Sequence, residues 1–299
     1  MTRPIVVATR KSQLALAQSR AFMRLFESKV GVKTEELHVT TTGDRVQDVA
    51  LSEIGGKGLF VKEIEEALLE SRADVAIHSL KDVPAELAPS LVIGCIPERE
   101  DPRDVVVTRS GARFLELPAG TRVGSSSLRR VAMLRAARPD LEYVPIRGNV
   151  DTRLRKCEDG TVDAVVLAYA GLRRLGLAAR ATEVLDPSLC LPAIGQGALA
   201  IECRENDAEV MRLLAPLVHV ETSRAVSAER GVMKAVEGSC QVPVAAYAVR
   251  DGGDLVLRAM LAEPDGSRAR MLTRKVSFPE SDAAAFAVGE ALGRELRGA

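Results

Sequence analysis

Apolar and polar positions along this chain switch between a period of two and a period near 3.6, and the order of the switches predicts strands feeding helices. Residues 5–9 are a β-branched run; the turn Arg10-Lys11-Ser12 follows, and Leu14, Ala17, Ala21 and Leu25 then share one helical face. Residues 35–41 alternate as a second strand. A long polar stretch, 42–58, precedes a helix over 59–71 with Phe60, Ile64, Ala67 and Leu68 inward and Glu63, Glu65, Glu66 and Glu70 solvated. Residues 74–77 end a short buried strand, after which polarity switches at once to His78, Ser79, Lys81 and Asp82, and Pro84 stops the run. In α/β sheets ligands bind just past the carboxyl ends of strands, so these four side chains are expected to project into a site. The Lys81–Asp82 neighbours are either an ion pair or an acid/base device.

Residues 91–96 form another apolar strand, and the charged segment 97–103, with two prolines, reads as a crossing between domains. The strand 105–108 opens a second unit. Gly124-Ser125-Ser126-Ser127 caps a helix whose Leu128, Val131 and Leu134 are expected to face inward. Arg129 and Arg130 stand in its first turn, where cations are disfavoured unless an anion joins them. A strand at 142–146 leads to the turn Arg147-Gly148-Asn149 and a helix carrying Arg153 and Arg155. The strand 164–168 leads to Arg173 and Arg174. Three strand ends thus present arginine. Gly195-Gln196-Gly197 precedes a strand-like run rather than opening a helix, so it reads as a hinge or turn with Gln196 exposed, not as a dinucleotide fingerprint. Helices at 207–217 and 221–236, strands at 242–249, 255–261 and 270–276, and a helix at 281–297 complete the chain.

Composition narrows the chemistry. The 299 residues suffice for two or three domains, and the net charge is zero. Of 41 basic residues 32 are Arg, and residues 122–156 hold eight Arg and one Lys against three acids. Arginine forks suit carboxylates and phosphates alike. With no Trp, three Tyr and six Phe the chain lacks the stacking surface of a nucleic-acid groove, so a small polyanion is the better partner. The five cysteines are scattered without a CxxC, and the three histidines are equally dispersed, which removes zinc and redox motifs. Gly58 follows Lys57 where a Walker loop requires Ser or Thr. Cys240, after Gly238-Ser239 in a turn before a strand, is more accessible than a cysteine in an apolar run. The N-terminus is too polar for a signal peptide and the longest apolar run, 164–172, too short for a bilayer; a cytoplasmic protein without membrane contact is expected.

Eight segments in one order carry a resemblance over nearly the whole chain: ATRKSQLAL (8–16), GGKGLFVKEIE (55–65), HSLKDVP (78–84), EREDPRD (98–104), GSSSLRR (124–130), RGNVDTRL (147–154), LPAIGQGALAIECR (191–204) and EGSCQVP (237–243). The chain resembles the porphobilinogen deaminases, or hydroxymethylbilane synthases. Its departures are mild: Ser125 stands where Thr is frequent, Leu80 where Met is, and Ser239 where Gly is. The resemblance implies an α/β fold of two lobes like type II periplasmic binding proteins, with mixed sheets, plus a small α+β C-terminal domain. It places lobe 1 at 1–98 and 197–217, lobe 2 at 103–192, and the C-terminal domain at 220–299. It implies a dipyrromethane cofactor held by a thioether at Cys240, onto which four porphobilinogens are joined head to tail with loss of ammonia before hydroxymethylbilane is released.

Carried over residue by residue, the resemblance makes Asp82 catalytic and gives cofactor contacts to Lys81, Ser79, Ser127, Arg129 and Arg130. Arg10, Ser12, Arg147, Arg153, Arg174 and Gln196 would bind substrate, and Lys57 and Phe60 would belong to a loop moving over the site. It also implies a monomer, no metal, and hand-off of product to uroporphyrinogen-III synthase. The reading of the arginines agrees with this chemistry, since each pyrrole brings an acetate and a propionate. The rival class is a two-lobed binding module for small carboxylate anions, which needs the arginines but neither Asp82 nor Cys240; a nucleic-acid binder is the third.

Overall fold

The structure, a computed structural model, describes residues 3–42, 61–236, 242–263 and 266–298. They fall into two compact units, Met1–Arg99 with Ala198–Ser223, and Glu100–Gly197 with Arg224–Ala299.

The first unit is built on a mixed sheet. β1 (Ile5–Arg10) lies between β2 (Thr34–Val39) and β3 (Val75–Ser79), parallel to both. β10 (Leu199–Arg204) pairs antiparallel with β3 and with β4 (Leu91–Cys95). The central strands β1, β3 and β10 are buried on both faces because helices cover both. On one side α1 (Gln13–Val30) sets Phe22 and Phe26 against Ile5, Val7, Ile77 and Ile201, with Leu214 from α6 (Ala208–Leu214). On the other, α2 (Lys62–Leu69) packs Ile64, Ala67 and Leu68 on Ala8, Ala76 and Leu91. Each large apolar side chain so buried stabilises the fold by about 1.5–3 kcal/mol.

The second unit repeats the pattern. β6 (Arg122–Gly124) lies between β7 (Glu142–Val144) and β8 (Ala164–Ala168), parallel to both. β5 (Asp104–Thr108) pairs antiparallel with β8 and with β9 (Glu183–Val184). Helices α3 (Leu128–Ala137), α4 (Val150–Glu158) and α5 (Tyr169–Arg174) each follow a parallel strand. The remaining chain adds an antiparallel sheet of β11 (Val244–Asp251), β12 (Asp254–Leu261) and β13 (Arg270–Ser277), each strand eight residues long. Its core closes against α7 (Val220–Ala235) and α8 (Asp282–Arg297) through Val232, Leu255, Leu257, Leu292 and Leu296. Two mixed sheets and a small α+β part are the architecture that the resemblance implies.

Two packing expectations fail. In α3 the buried positions are Arg129, Arg130, Ala132 and Leu134, while Leu128 and Val131 stay half-exposed. Gln196 is buried, not exposed, at 1% of its free surface. Both have one cause, the carboxylate of Asp104.

Candidate active site

In the first unit the parallel pairing of β1 with β3 brings two strand ends to one sheet edge. Arg10 closes β1, and Ser12 caps α1, its Oγ accepting the Ala15 N–H at 3.3 Å. Ser79 closes β3 and accepts a 2.9 Å hydrogen bond from Gln18 Nε2, so α1 is tied to the end of β3 side chain to side chain. A 3-10 turn, Leu80–Asp82, follows immediately. The Leu80 N–H donates to Ala198 O at 3.0 Å and the Val83 N–H returns to Leu80 O at 3.1 Å. Buried Leu80 and Val83 anchor the turn from below, which leaves Lys81 and Asp82 exposed at its crest. His78 departs from the expectation. It points into the core at 7% exposure, where its Nε2 lies 2.9 Å from Glu202 Oε2. A strand alternates its faces, so a projecting Ser79 requires an inward His78.

In the second unit β6, β7 and β8 run parallel and end at one edge, and the three strand ends carry the arginines. The antiparallel partner β5 begins at that edge, with Asp104 opposite Ala168. This register delivers a carboxylate to the first turn of α3. Arg129 Nη1 donates to Asp104 Oδ2 at 2.7 Å, and Arg130 Nη2 and Nε to Oδ1 at 2.7 and 3.1 Å. Gln196 Nε2 adds a bond to Oδ1 at 2.8 Å and another to Pro102 O at 2.6 Å. Burial alone would raise the Asp104 pKa; the two guanidiniums reverse this and hold it far below the carboxylate range. Burial works against the Arg129 charge in turn, and Asp104 more than restores it. The anion demanded by cations at a helix start is therefore internal. Nothing in the motif EREDPRD, read as a crossing, singled out its last residue; the signal was the pair of arginines awaiting a counterion.

The other arginines have different surroundings. Asn149 caps α4 by accepting the Thr152 N–H at 2.9 Å, and Gly148 before it sits at φ 108°, a left-handed conformation that favours glycine. Arg153 Nε donates to the Gly148 carbonyl at 2.8 Å, a neutral partner. Burial and the cations Arg130 and Arg147 pull its pKa down to about 10, so it stays charged at neutral pH but in a setting that favours an added anion. Arg174 Nη2 donates to Gly197 O at 2.7 Å; burial brings its pKa to about 10, with Glu100 partly offsetting. Ser127 Oγ caps α3, accepting the Arg130 N–H at 3.4 Å, and Ser126 Oγ donates to Ile146 O at 2.6 Å. One arginine pair thus shares a single internal carboxylate and keeps a net positive charge, while Arg153 lies among cations. That arrangement has the charge to suit a multiply charged carboxylate or phosphate.

Lys57, Phe60 and Cys240 lie outside the described residues. Among the described residues no group of three His, Cys, Asp or Glu side chains is placed to hold a metal ion, and no helix is long and apolar enough to cross a membrane.

Comparison with known proteins identifies the chemistry. Residues 5–212 match the family model described as porphobilinogen deaminase, dipyromethane cofactor binding domain, and residues 223–298 match porphobilinogen deaminase, C-terminal domain. A porphobilinogen deaminase of Sorangium cellulosum is 63% identical over 99% of both chains. Another, from Syntrophobacter fumaroxidans, is 50% identical over 98% of this chain and 94% of its own. Among solved structures, a TRAP periplasmic solute binding protein from Desulfovibrio salexigens aligns over 73% of each chain at 12% identity, with a TM-score of 0.42. With both family domains matched and full-length relatives at this identity, the chain belongs to the porphobilinogen deaminase family.

Proposed function

We propose that this enzyme joins porphobilinogen units with Asp82 as its one catalytic carboxylate and with the strand-end arginines as carboxylate holders. The observation that carries the reading is the placement of Arg153 among Arg130 and Arg147, with a neutral carbonyl as its hydrogen-bond partner. Such a group fits dipyrromethane, whose acetates and propionates supply the missing negative charge. Arg147 and Arg153 would grip those side chains bidentately, and Arg129 and Arg130 would offer the N–H groups left by Asp104 and by the Leu191 and Val166 carbonyls. Cys240 would hold the cofactor through its thioether. When bound, the cofactor supplies the free pyrrole carbon to which the first substrate ring is joined.

Asp82 does the remaining work at the substrate. As ammonia leaves the aminomethyl carbon, the pyrrole nitrogen becomes electron-poor, and a carboxylate beside it stabilises the developing positive charge. After the new carbon–carbon bond forms, the same carboxylate accepts the proton that leaves the pyrrole carbon. Its place at the crest of a turn anchored by Leu80 and Val83 suits a group that must serve successive rings without moving. Ser79 and Lys81 orient carboxylates beside it, and Arg10, Ser12, Arg174 and Gln196 complete substrate binding. We also place the three domains at the boundaries drawn from the sequence. The four described cysteines are free and buried, which supports a reducing compartment, and we propose a cytoplasmic monomer that passes its product to uroporphyrinogen-III synthase.

The test is Asp82→Asn. The variant should fold, retain its cofactor and lose at least about 100-fold in turnover, the usual contribution of a positioned acid or base. Product formation near the wild-type rate would remove Asp82 from the mechanism.

A further inference from the structure

Beneath the Asp82 turn lies a chain of ionisable groups for which the reaction as described has no use. The register of β10 on β3 sets Ala200 opposite His78 and Glu202 opposite Ala76, so His78 and Glu202 share the sheet face that α2 covers. Both are buried, His78 at 7% and Glu202 at 1%, and they meet at 2.9 Å. Glu65 of α2 feels both. Burial raises its pKa, the Ala88 N–H at 3.1 Å opposes this, the Glu202 charge adds to it and His78 counters. Glu202 Oε1 is buried with no hydrogen-bond partner. A carboxylate oxygen left unsatisfied in a core otherwise made of Ala8, Ile64, Leu68 and Ala76 is costly, and apolar residues of similar volume would pack there more stably.

The group's place along the chain gives it a use. His78 is the last inward residue before the turn, and Ala88, held by Glu65, lies about six residues past its end. Asp82 therefore sits on a segment fastened at both ends by this chain, and fastened from the opposite face by Gln18 on Ser79. We propose that His78, fixed by Glu202, is a positioning residue that sets where Asp82 stands relative to the substrate. The inference rests on the reading of Asp82 as catalytic. It assigns to the histidine of HSLKDVP a role through the aspartate rather than contact with substrate.

The test compares His78→Leu, His78→Gln and Glu202→Gln with Asp82→Asn. For each, kcat and KM for porphobilinogen are measured on protein whose cofactor load is established by intact mass. A catalytic group displaced by about 1 Å can lose up to about 100-fold in rate. His78→Leu and Glu202→Gln should therefore lose about tenfold or more in kcat with KM within about twofold, the signature of an interaction made in the transition state. His78→Gln keeps an amide N–H within reach of Glu202 and should recover most of the loss. Unaltered kcat in loaded His78→Leu overturns the proposal, as does a loss in His78→Leu that His78→Gln shares in full. If His78→Leu does not fold, Glu202→Gln, which keeps the side chain's size, decides in the same way. Near-normal turnover in Asp82→Asn would remove the premise and the inference with it. An inactive Asp82→Asn beside an unaltered Glu202→Gln would overturn the inference alone.

Discussion

Asp104→Asn keeps the shape of the side chain and removes its charge. Asp104 has no exposed surface, and Arg129 and Arg130 beside it keep 5% and 6% of theirs. The carboxylate takes hydrogen bonds on both oxygens, from Arg129 on Oδ2 and from Arg130 and Gln196 on Oδ1. An amide has one acceptor oxygen, so whichever way it turns, an N–H₂ faces a donor. Removing one partner of a buried ion pair costs about 3–5 kcal/mol, because the other charge stays dehydrated. Domains are stable by about 5–15 kcal/mol, so the loss is a large fraction of the whole. At about 2–4 °C per kcal/mol for a chain of this size, the calorimetric Tm should fall by about 6–20 °C. The pH dependence has a definite sign. The folded pKa is depressed, so the Asp104 contribution is complete above the unfolded value near 4 and is lost as pH falls through the folded one. The Tm gap between wild type and variant should therefore be constant from about pH 5 to 8 and narrow in stronger acid. A Tm drop under about 2 °C, the scale of an exposed pair, would refute the claim that this carboxylate is the counterion of α3.

Three other outcomes follow from the same geometry. Arg153→Leu removes a cation that burial, Arg130 and Arg147 all disfavour, so Tm should hold or rise while KM for porphobilinogen climbs about tenfold or more, the value of a hydrogen bond to a charged group; a lower Tm with unchanged KM would contradict this. Burial pushes the thiols of Cys95 and Cys190 up to about 12 and that of Cys203 to about 11, and raises Cys157 as well. At pH 8 the native enzyme should leave these four unlabelled by iodoacetamide; labelling of any one at the rate of a free thiol would contradict their burial. The unfolded holoenzyme should take up four labels, not the five its cysteine count allows, because the proposed thioether occupies Cys240.

Most of the fold was legible because the strands alternate with helices whose apolar stripes have clear caps. Ser12, Ser127, Asn149 and Ser281 each cap a helix with a side-chain oxygen. The strand 164–168 and the eight-residue strands of the last sheet follow their β-branched and apolar runs closely. What was not legible depends on register. Asp104 and Arg129 are 25 residues apart, and only the antiparallel addition of β5 to the parallel strands brings them together. For the same reason Arg129 and Arg130, polar by composition, occupy the buried face expected for Leu128 and Val131. Gln196 could be placed at a turn by its glycines, yet its burial follows from Asp104, which periodicity does not reveal. His78 and Glu202 are 124 residues apart and belong to motifs that each looked complete. Polar partners across a sheet carry no signal in either segment alone.

The central claim is that a chain of this family, with these arginines, is built to hold a covalent dipyrromethane. The most direct measurement is the intact mass of the purified, denatured protein beside that of Cys240→Ala. An excess equal to two linked porphobilinogen-derived rings, present in the wild type and absent from the variant, is the expected result. A wild-type chain that stays unmodified after incubation with porphobilinogen, or a variant that carries the same excess, would contradict it.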